Sequence, residues 1–168
     1  MIILGIDPGI SITGFGVIEI IKNKPRCLGF GGIRNRAKDA PLAERLGVIY
    51  DGLCEVVEKY QPKHCAVEEV FYHENVRTAI VMGHARGIAM LAAQQSGVEV
   101  YEYSAREVKM STVGSGAASK QQVQAMVTRI LNTEKPPKPQ DAADALAAAI
   151  CHFHRIRFLL MKTARRQG

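Results

Sequence analysis

An acidic residue ends the first apolar run of the chain, at a point where a buried strand would normally avoid a charge. Residues 2–6 are apolar and are followed by Asp7, Pro8 and Gly9. A carboxylate that is buried without a partner is strongly unfavourable, or its pKa shifts until it is neutral. Asp7 therefore either starts a turn into Pro8 and Gly9, or supplies a charge that the protein uses.

Other carboxylates occur at positions that can meet Asp7. Glu68 and Glu69 lie in the apolar segment "HCAVEEV", and Asp141 and Asp144 begin an Ala-rich segment. Residues three apart share one face of a helix, so Asp141 and Asp144 should project together, although Asp141 alone could be a helix N-cap. Alternation in a strand sends Glu68 and Glu69 to opposite faces, and the apolar neighbours on both sides do not show which one faces Asp7.

Carboxylates from two strands and a helix are the ligands that hard divalent cations need. Mg²⁺ takes oxygen ligands and keeps waters for substrate phosphates. Two such ions about 4 Å apart can activate water and stabilise both oxygens of an in-line phosphodiester displacement. Taken together, the acids predict a metal site for phosphodiester hydrolysis rather than separate turn and cap roles.

Two lysines flank a Gly-rich segment. Lys109 and Lys120 bracket "MSTVGSGAAS", which leads into a helix whose start is marked by Ser119 and Gln122. Backbone amides at a helix N-terminus and nearby cations are suited to a DNA phosphate. The alternative interpretation is that both lysines are simply solvated and lie beside a flexible loop.

The elements that position these residues follow from the apolar pattern. Three strands come first, joined by tight turns: residues 2–6, "SITGFGVIEII" and "RCLGFGGI". From Pro41, apolar residues recur at steps of three and four, which predicts a helix that ends at Gln61-Pro62. Strand "HCAVEEV", helix "VRTAIVMGHARGIAMLAAQQSG" and strand "VEVYEY" follow, and capping boxes at Ser104 and Ser119 open further helices before the last one, "DAADALAAAICHFHRI".

This order predicts an α/β fold with a mixed five-stranded sheet, in which an antiparallel meander is joined by parallel strands and helices cover both faces. A right-handed crossover places "HCAVEEV" parallel to the first strand and beside it. Ligands bind at the carboxyl ends of strands in such sheets. Asp7 and one glutamate are therefore expected at the same edge.

Composition indicates one globular domain with an anionic partner. The 168 residues carry a formal net charge of +6, and every charged residue after Asp144 is basic. We expect a domain over residues 1–157 and a basic, flexible tail over residues 158–168, which either contacts nucleic acid or keeps the protein soluble. Four widely spaced cysteines suggest reduced thiols in the cytoplasm, and charges interrupt the apolar stretches before they could cross a membrane.

Several motifs, in this order and along nearly the whole chain, resemble the RuvC family of Holliday-junction resolvases. They are "ILGIDPGISITGFGVIE", "AVEEVFYHEN", "GHARG", "VKMSTVGSGAASKQQVQAMV" and "DAADALAAAICH". The "GIDPG" motif alone also resembles sugar-kinase and actin-like ATPases and the smaller YqgF-type proteins. A complete ATPase of that type needs a second, duplicated half, for which 168 residues leave no room.

The resemblance implies an RNase H-like fold and a homodimer that cuts opposed strands of a four-way DNA junction, in recombination and DNA repair. It implies Mg²⁺ as cofactor, with two ions per site and Mn²⁺ as a substitute, and the RuvA–RuvB branch-migration complex as a partner. The family's catalytic and metal-binding acids correspond to Asp7, Glu68, Asp141 and Asp144. Glu68 rather than Glu69 matches the family acid.

The resemblance also assigns roles at the DNA. It places Lys109 and Lys120 near the scissile phosphate, and it has Phe71 stacking on bases opened at the crossover, with core packing as the alternative. On a helix, His152 and His154 should point in different directions, and His152 is close enough to Asp144 in the chain to approach the active-site face. A noncatalytic junction-binding protein and a nuclease for RNA–DNA hybrids are the rival functions.

Overall fold

The computed structural model describes residues 1–35, 39–69 and 75–164, with side chains to residue 162. The five strands are β1 (Ile2–Asp7), β2 (Ile12–Ile21), β3 (Lys24–Arg34), β4 (His64–Glu68) and β5 (Glu99–Tyr103). The helices are α1 (Leu42–Tyr60), α2 (Val76–Gln95), α3 (Ala105–Val113), α4 (Lys120–Leu131) and α5 (Gln140–Ala164). Their order along the chain is the one that the apolar pattern predicts.

The five strands form one mixed sheet in the order β3-β2-β1-β4-β5. Strand β2 pairs antiparallel with β1 and β3, whereas β4 pairs parallel with β1 and β5. The predicted meander, the parallel pair and the adjacency of β1 and β4 are confirmed. Because Ile6 pairs with Val67, the next residues, Asp7 and Glu68, end neighbouring strands at the same edge.

Side-chain caps begin three of the helices. Ser104 and Ser119 both make the expected capping box, each accepting a hydrogen bond from the backbone of the residue three positions later. Asn75 caps α2 by accepting from the backbone N–H of Thr78. The caps at Ser104 and Ser119 fix where α3 and α4 start, and these helices carry Lys109 and Lys120.

Helices cover both faces of the sheet. One core lies between the sheet and α3, α4 and α5, and the other lies between the sheet and α1 and α2. Helix α5 lies unusually close to β1 and β2 because glycines face it. A Cβ added at Gly5 would overlap the carbonyl oxygen of Ala145, and one at Gly14 would overlap the backbone of Asp141. Ala and Gly at this contact therefore set how near α5 comes to the strand that ends in Asp7.

Helix α5 is longer than the sequence pattern suggests. It continues to Ala164, through residues 158–164, which the charge pattern assigned to a flexible tail. Leu and Met in this stretch favour helix, and neither Gly nor Pro interrupts it. The division of the chain at Arg157 into a domain and a tail stays a prediction. Among the described residues, no helix is long and apolar enough to cross a membrane.

Candidate active site

Three of the four predicted acids line one cleft at the carboxyl edge of β1 and β4. Asp7, Glu68 and Asp144 lie there, around a cavity of about 60 Å³. The cleft is closed by α3 and α4, which contribute two cations and a small apolar wall: Ala105, Val108, Lys109, Lys120 and Val123. Residues that are distant in the sequence thus form one concave, charged site.

Alternation along the strands aims the two strand acids at α5. Ile3 on β1 and Ala66 on β4 belong to the core on the α5 face, and Asp7 and Glu68 are in phase with them. Glu69, beyond the end of β4, is exposed, and its backbone N–H donates to the carbonyl of Tyr103 at 2.8 Å. The choice between Glu68 and Glu69, which the flanking residues left open, is thus made by the geometry.

The loop after Asp7 is held by a buried threonine that sequence reasoning did not single out. The Thr13 hydroxyl donates to the Gly9 carbonyl at 2.8 Å and accepts from the Gly9 N–H at 3.4 Å. The Asn35 amide donates to the Ile10 carbonyl at 2.8 Å. A threonine four residues after a turn glycine was the available signal. These bonds fix the path of the chain away from Asp7.

The two helix acids take different positions in the first turns of α5. Asp141 lies over Gly14, which pairs with Asp7 across β1 and β2, so Asp141 stands beside Asp7 but does not line the cleft. Asp144 faces the cleft and is 9% exposed. Helix α5 begins at Gln140, so Asp141 lies inside the first turn rather than at the capping position.

Crowding of negative charge dominates the electrostatics of the cleft. Burial, and then the charges of Glu68, Asp144 and Asp141, raise the pKa of Asp7 to about 8. Burial and the charge of Asp144 raise the pKa of Glu68 to about 7, against the opposing effect of Lys120 and Lys109. Near neutral pH, Asp7 is therefore mainly protonated and Glu68 about half protonated, because burial and the neighbouring carboxylates disfavour their charged forms.

Lys120 supplies part of the missing positive charge. Its Nζ lies 3.1 Å from Asp144 Oδ2, although the lysine side chain is 66% exposed and that of Asp144 only 12%. Burial lowers the pKa of Lys120, but Asp144, Asp7 and Asp141 outweigh burial and raise it. Lys120 is therefore charged and is held in the cleft by the acids.

The acids fit a hard divalent cation by their chemistry. Among the described residues, no group of three His, Cys, Asp or Glu side chains stands close enough to hold one ion together. Lys120 instead pairs with Asp144 at 3.1 Å. Buried carboxylate oxygens with raised pKa values are nevertheless the donors that such a cation would bind and deprotonate.

The remaining predicted residues lie elsewhere. Phe71 falls outside the described residues. The Nδ1 of His154 lies 3.0 Å from the Ser111 hydroxyl. His152 does point away from His154, but the expectation that it can approach the active-site face is wrong. It is buried against His64, which begins β4 at the end opposite Glu68.

Comparison with known proteins places the chain among junction-cleaving nucleases. The family model described as crossover junction endodeoxyribonuclease RuvC matches residues 3–152. The crossover junction endodeoxyribonuclease RuvC of Desulforamulus reducens is 51% identical over 90% of this chain and 93% of its own length.

Solved structures agree with this placement. Thermus thermophilus RuvC, in complex with a Holliday junction substrate, superposes with a TM-score of 0.87 at 36% identity, covering 94% of this chain and 96% of that chain. The yeast mitochondrial Holliday junction resolvase Ydc2 has a TM-score of 0.60 at 14% identity, covering 90% of this chain and 77% of its own, and shares the fold.

Proposed function

Because the chain belongs to the RuvC family of crossover junction endodeoxyribonucleases, we propose that it resolves four-way DNA junctions by hydrolysing phosphodiester bonds. The observation that carries this proposal is the cleft in which Asp7, Glu68 and Asp144 meet Lys109 and Lys120. Carboxylates repel the phosphates of DNA, so acids in a cleft that binds DNA must have a function other than DNA binding. Metal-assisted hydrolysis of the DNA backbone is that purpose.

The four acids are the catalytic, metal-holding residues. Asp7, Glu68, Asp141 and Asp144 would hold Mg²⁺, two ions per site, with Mn²⁺ as a substitute. When bound, such ions activate water and stabilise negative charge on the scissile phosphate. Because the pKa values of Asp7 and Glu68 are raised, a metal ion would compete with protons for these carboxylates.

The lysines act on the phosphate. Lys109 and Lys120 line the same cleft as the acids, so a phosphate that reaches the acids also meets both ammonium groups. They orient it and stabilise the charge that develops as water bonds to phosphorus. The bond from phosphorus to the 3′ oxygen breaks and that oxygen takes a proton, which leaves a 5′-phosphate and a 3′-hydroxyl.

Partners follow from the substrate. A four-way junction has two opposed strands to cut, which a homodimer with two clefts would do symmetrically. Phe71 stacks on bases opened at the crossover, a contact of about 1–3 kcal/mol per base. By its family, the protein has the RuvA–RuvB branch-migration complex as a partner, and it works in recombination and DNA repair in the cytoplasm.

A substrate comparison tests the proposal. Purified protein with Mg²⁺ is given a synthetic four-way junction, a linear duplex and an RNA–DNA hybrid, and the products are sized and religated. We expect paired, religatable nicks in the junction alone. Equal cleavage of the hybrid or the duplex would assign a different substrate to the same cleft.

Variants test the residues separately from the substrate. Asp7→Asn should bind the junction with an affinity near that of the wild type and leave it uncut, whereas Asp51→Asn, an exposed change on α1, should cut normally. Binding by the wild type should weaken steeply with salt, and Lys109→Gln should reduce that slope. Cutting by Asp7→Asn, or binding that ignores salt, would contradict the assignment.

A further inference from the structure

Helix α5 carries two of the four acids, Asp141 and Asp144, and the sheet carries the other two. Among the described residues, no hydrogen bond or ion pair joins either acid of α5 to the sheet. The ion pair of Lys120 with Asp144 ties α5 to α4, not to the sheet. Attraction that holds α5 at a defined position on the sheet must therefore come from outside the cleft.

Apolar packing holds α5 on the sheet. Small residues, such as Ala145 and Ala149 of α5 against Gly5 of β1, pack there beside larger ones, among them Leu146 and Ile150. The attraction between apolar groups is non-directional. Hydrogen bonds, in contrast, constrain both distance and angle.

His152 makes directional contacts between α5 and two strands. Its side chain is 1% exposed. Its Nδ1 lies 2.6 Å from the Tyr103 hydroxyl on β5, and its Nε2 lies 3.0 Å from the His64 Nδ1 on β4. The ring of Tyr101 covers it, with centroids 4.3 Å apart. Burial lowers the pKa of His152 to about 4, so the neutral ring offers one donor and one acceptor nitrogen.

The distance between the two contact points is nearly the same along α5 and along β4. His64 and Glu68 are four residues apart on β4, about 13 Å in a strand. His152 and Asp144 are eight residues apart on α5, about 12 Å in a helix. Because His152 meets His64, Asp144 is brought level with Glu68 at the other end.

Tyr103 links this contact to the cleft more directly. It pairs with Glu68 across β4 and β5, and its carbonyl accepts from the N–H of Glu69 at 2.8 Å. The same residue therefore fixes the end of β4 through its backbone and meets α5 through its hydroxyl. A shift of α5 would break the hydrogen bond of Tyr103 with His152.

We propose that His152, hydrogen-bonded to Tyr103 and His64, is a positioning residue that sets α5 so that Asp141 and Asp144 stand opposite Asp7 and Glu68. This inference rests on the proposed function. Loss of the contact leaves the acids present but displaces two of them. Metal binding and the cleavage step then suffer, whereas junction binding does not.

Two tyrosines on one strand provide a matched test. Tyr103→Phe removes the hydroxyl that meets His152, and Tyr101→Phe removes a hydroxyl that meets Glu99 instead, at 2.7 Å. Each variant is assayed for Mn²⁺ affinity without DNA, junction affinity, and single-turnover cleavage at saturating Mg²⁺. We expect Tyr103→Phe to lose about tenfold in cleavage and in Mn²⁺ affinity, with junction affinity unchanged. Tyr101→Phe should match the wild type.

Two substitutions of His152 test whether its hydrogen bonds matter. The oxygen and nitrogen of a Gln side chain can accept and donate as the two ring nitrogens do, so His152→Gln should keep more activity and Mn²⁺ affinity than His152→Phe. Val57→Ala, a buried change on α1 against the other face of the sheet, serves as a stability control.

The outcomes separate this inference from the proposed function. Junction cleavage by the wild type tests the proposed function, whatever role His152 has. If Tyr103→Phe and His152→Phe lose stability as Val57→Ala does, but keep wild-type cleavage and Mn²⁺ affinity, His152 only supports the fold and the proposal is overturned. Tyr103→Phe removes one oxygen atom, so the test stands even if His152→Phe does not fold.

Discussion

Replacing Asp7 by Asn should abolish cleavage and yet stabilise the metal-free protein. Burial and the charges of Glu68, Asp144 and Asp141 raise the pKa of Asp7 from 3.8 to about 8. Asn keeps the size of the side chain and carries no charge. The variant therefore lacks the carboxyl group whose charged form is unfavourable in the native state, and it also lacks one oxygen that would bind the metal.

The sign and size of the effect follow from proton linkage. Between about pH 4 and pH 8, Asp7 is ionised in the unfolded chain but protonated in the native protein, so the native state binds more protons and stability falls as pH rises. For one group this slope is about 1.4 kcal/mol per pH unit. The free energy of unfolding of Asp7→Asn, relative to the wild type, should therefore grow by about 3–4 kcal/mol from pH 5 to pH 8.

Urea denaturation at pH 5, 6, 7 and 8 in the presence of a chelator measures this difference. Asp51→Asn, an exposed change on α1, is the control and should track the wild type at each pH. Saturating Mg²⁺ should then restore stability to the wild type at pH 8 and do little for Asp7→Asn, because a ligand stabilises the state that binds it.

A flat difference across this pH range would refute the reasoning. The same holds if Asp7→Asn is the less stable protein at pH 8 without metal. Either result would mean that burial and the neighbouring carboxylates do not raise the pKa of Asp7, and the electrostatic basis for a cation site would be lost.

Metal binding, the cleft lysine and the contact between helix and sheet each give a further expected outcome. Calorimetric titration of Mg²⁺ at pH 7 should release about one proton or more per site, and affinity should fall as pH falls, because the raised carboxyl groups must lose protons; pH-independent affinity would contradict this. Lys120→Met should slow single-turnover cleavage about 100-fold, whereas the exposed Lys63→Met should not, and equal rates would remove Lys120 from the chemistry. Gly5→Ala should lower the free energy of unfolding by about 3 kcal/mol in urea, because the new Cβ overlaps the carbonyl of Ala145, whereas Gly83→Ala meets open space and should not destabilise.

Residue type and chain direction were enough to predict the strand acids. Asp7 ends an apolar run, and a right-handed crossover brings "HCAVEEV" beside it, so the meeting of the two strand ends follows from local pattern and handedness. The choice between Glu68 and Glu69 did not follow from the pattern, because both have apolar neighbours. It depends on the phase of β4, which the packing of Ala66 against the α5 face determines.

Long-range polar contacts could not be predicted from the sequence. The hydrogen bonds of His152 join residues 49 and 88 positions away, and no local period identifies such partners. Proximity to Asp144 along α5 suggested the active-site face, but α5 runs antiparallel to β4 and carries His152 to the opposite end of the strand. The sequence therefore predicted the distance between Asp144 and His152 along α5 correctly, but not the part of the sheet that His152 contacts.

The residues that hold α5 on the sheet are different from the acids that α5 contributes to the cleft. If contacts among the acids held α5 in place, removing one of the acids would destabilise the protein. Burial and their mutual repulsion instead raise the pKa of Asp7, so the acids do not hold α5, and the close approach at Gly5 and the contacts of His152 do. A divalent cation converts that repulsion into attraction, since each carboxylate then faces positive charge. The same acids should thus weaken the metal-free fold and strengthen the metal-bound one, and a metal-dependent gain in stability that vanishes in Asp7→Asn would be the sign of this reversal.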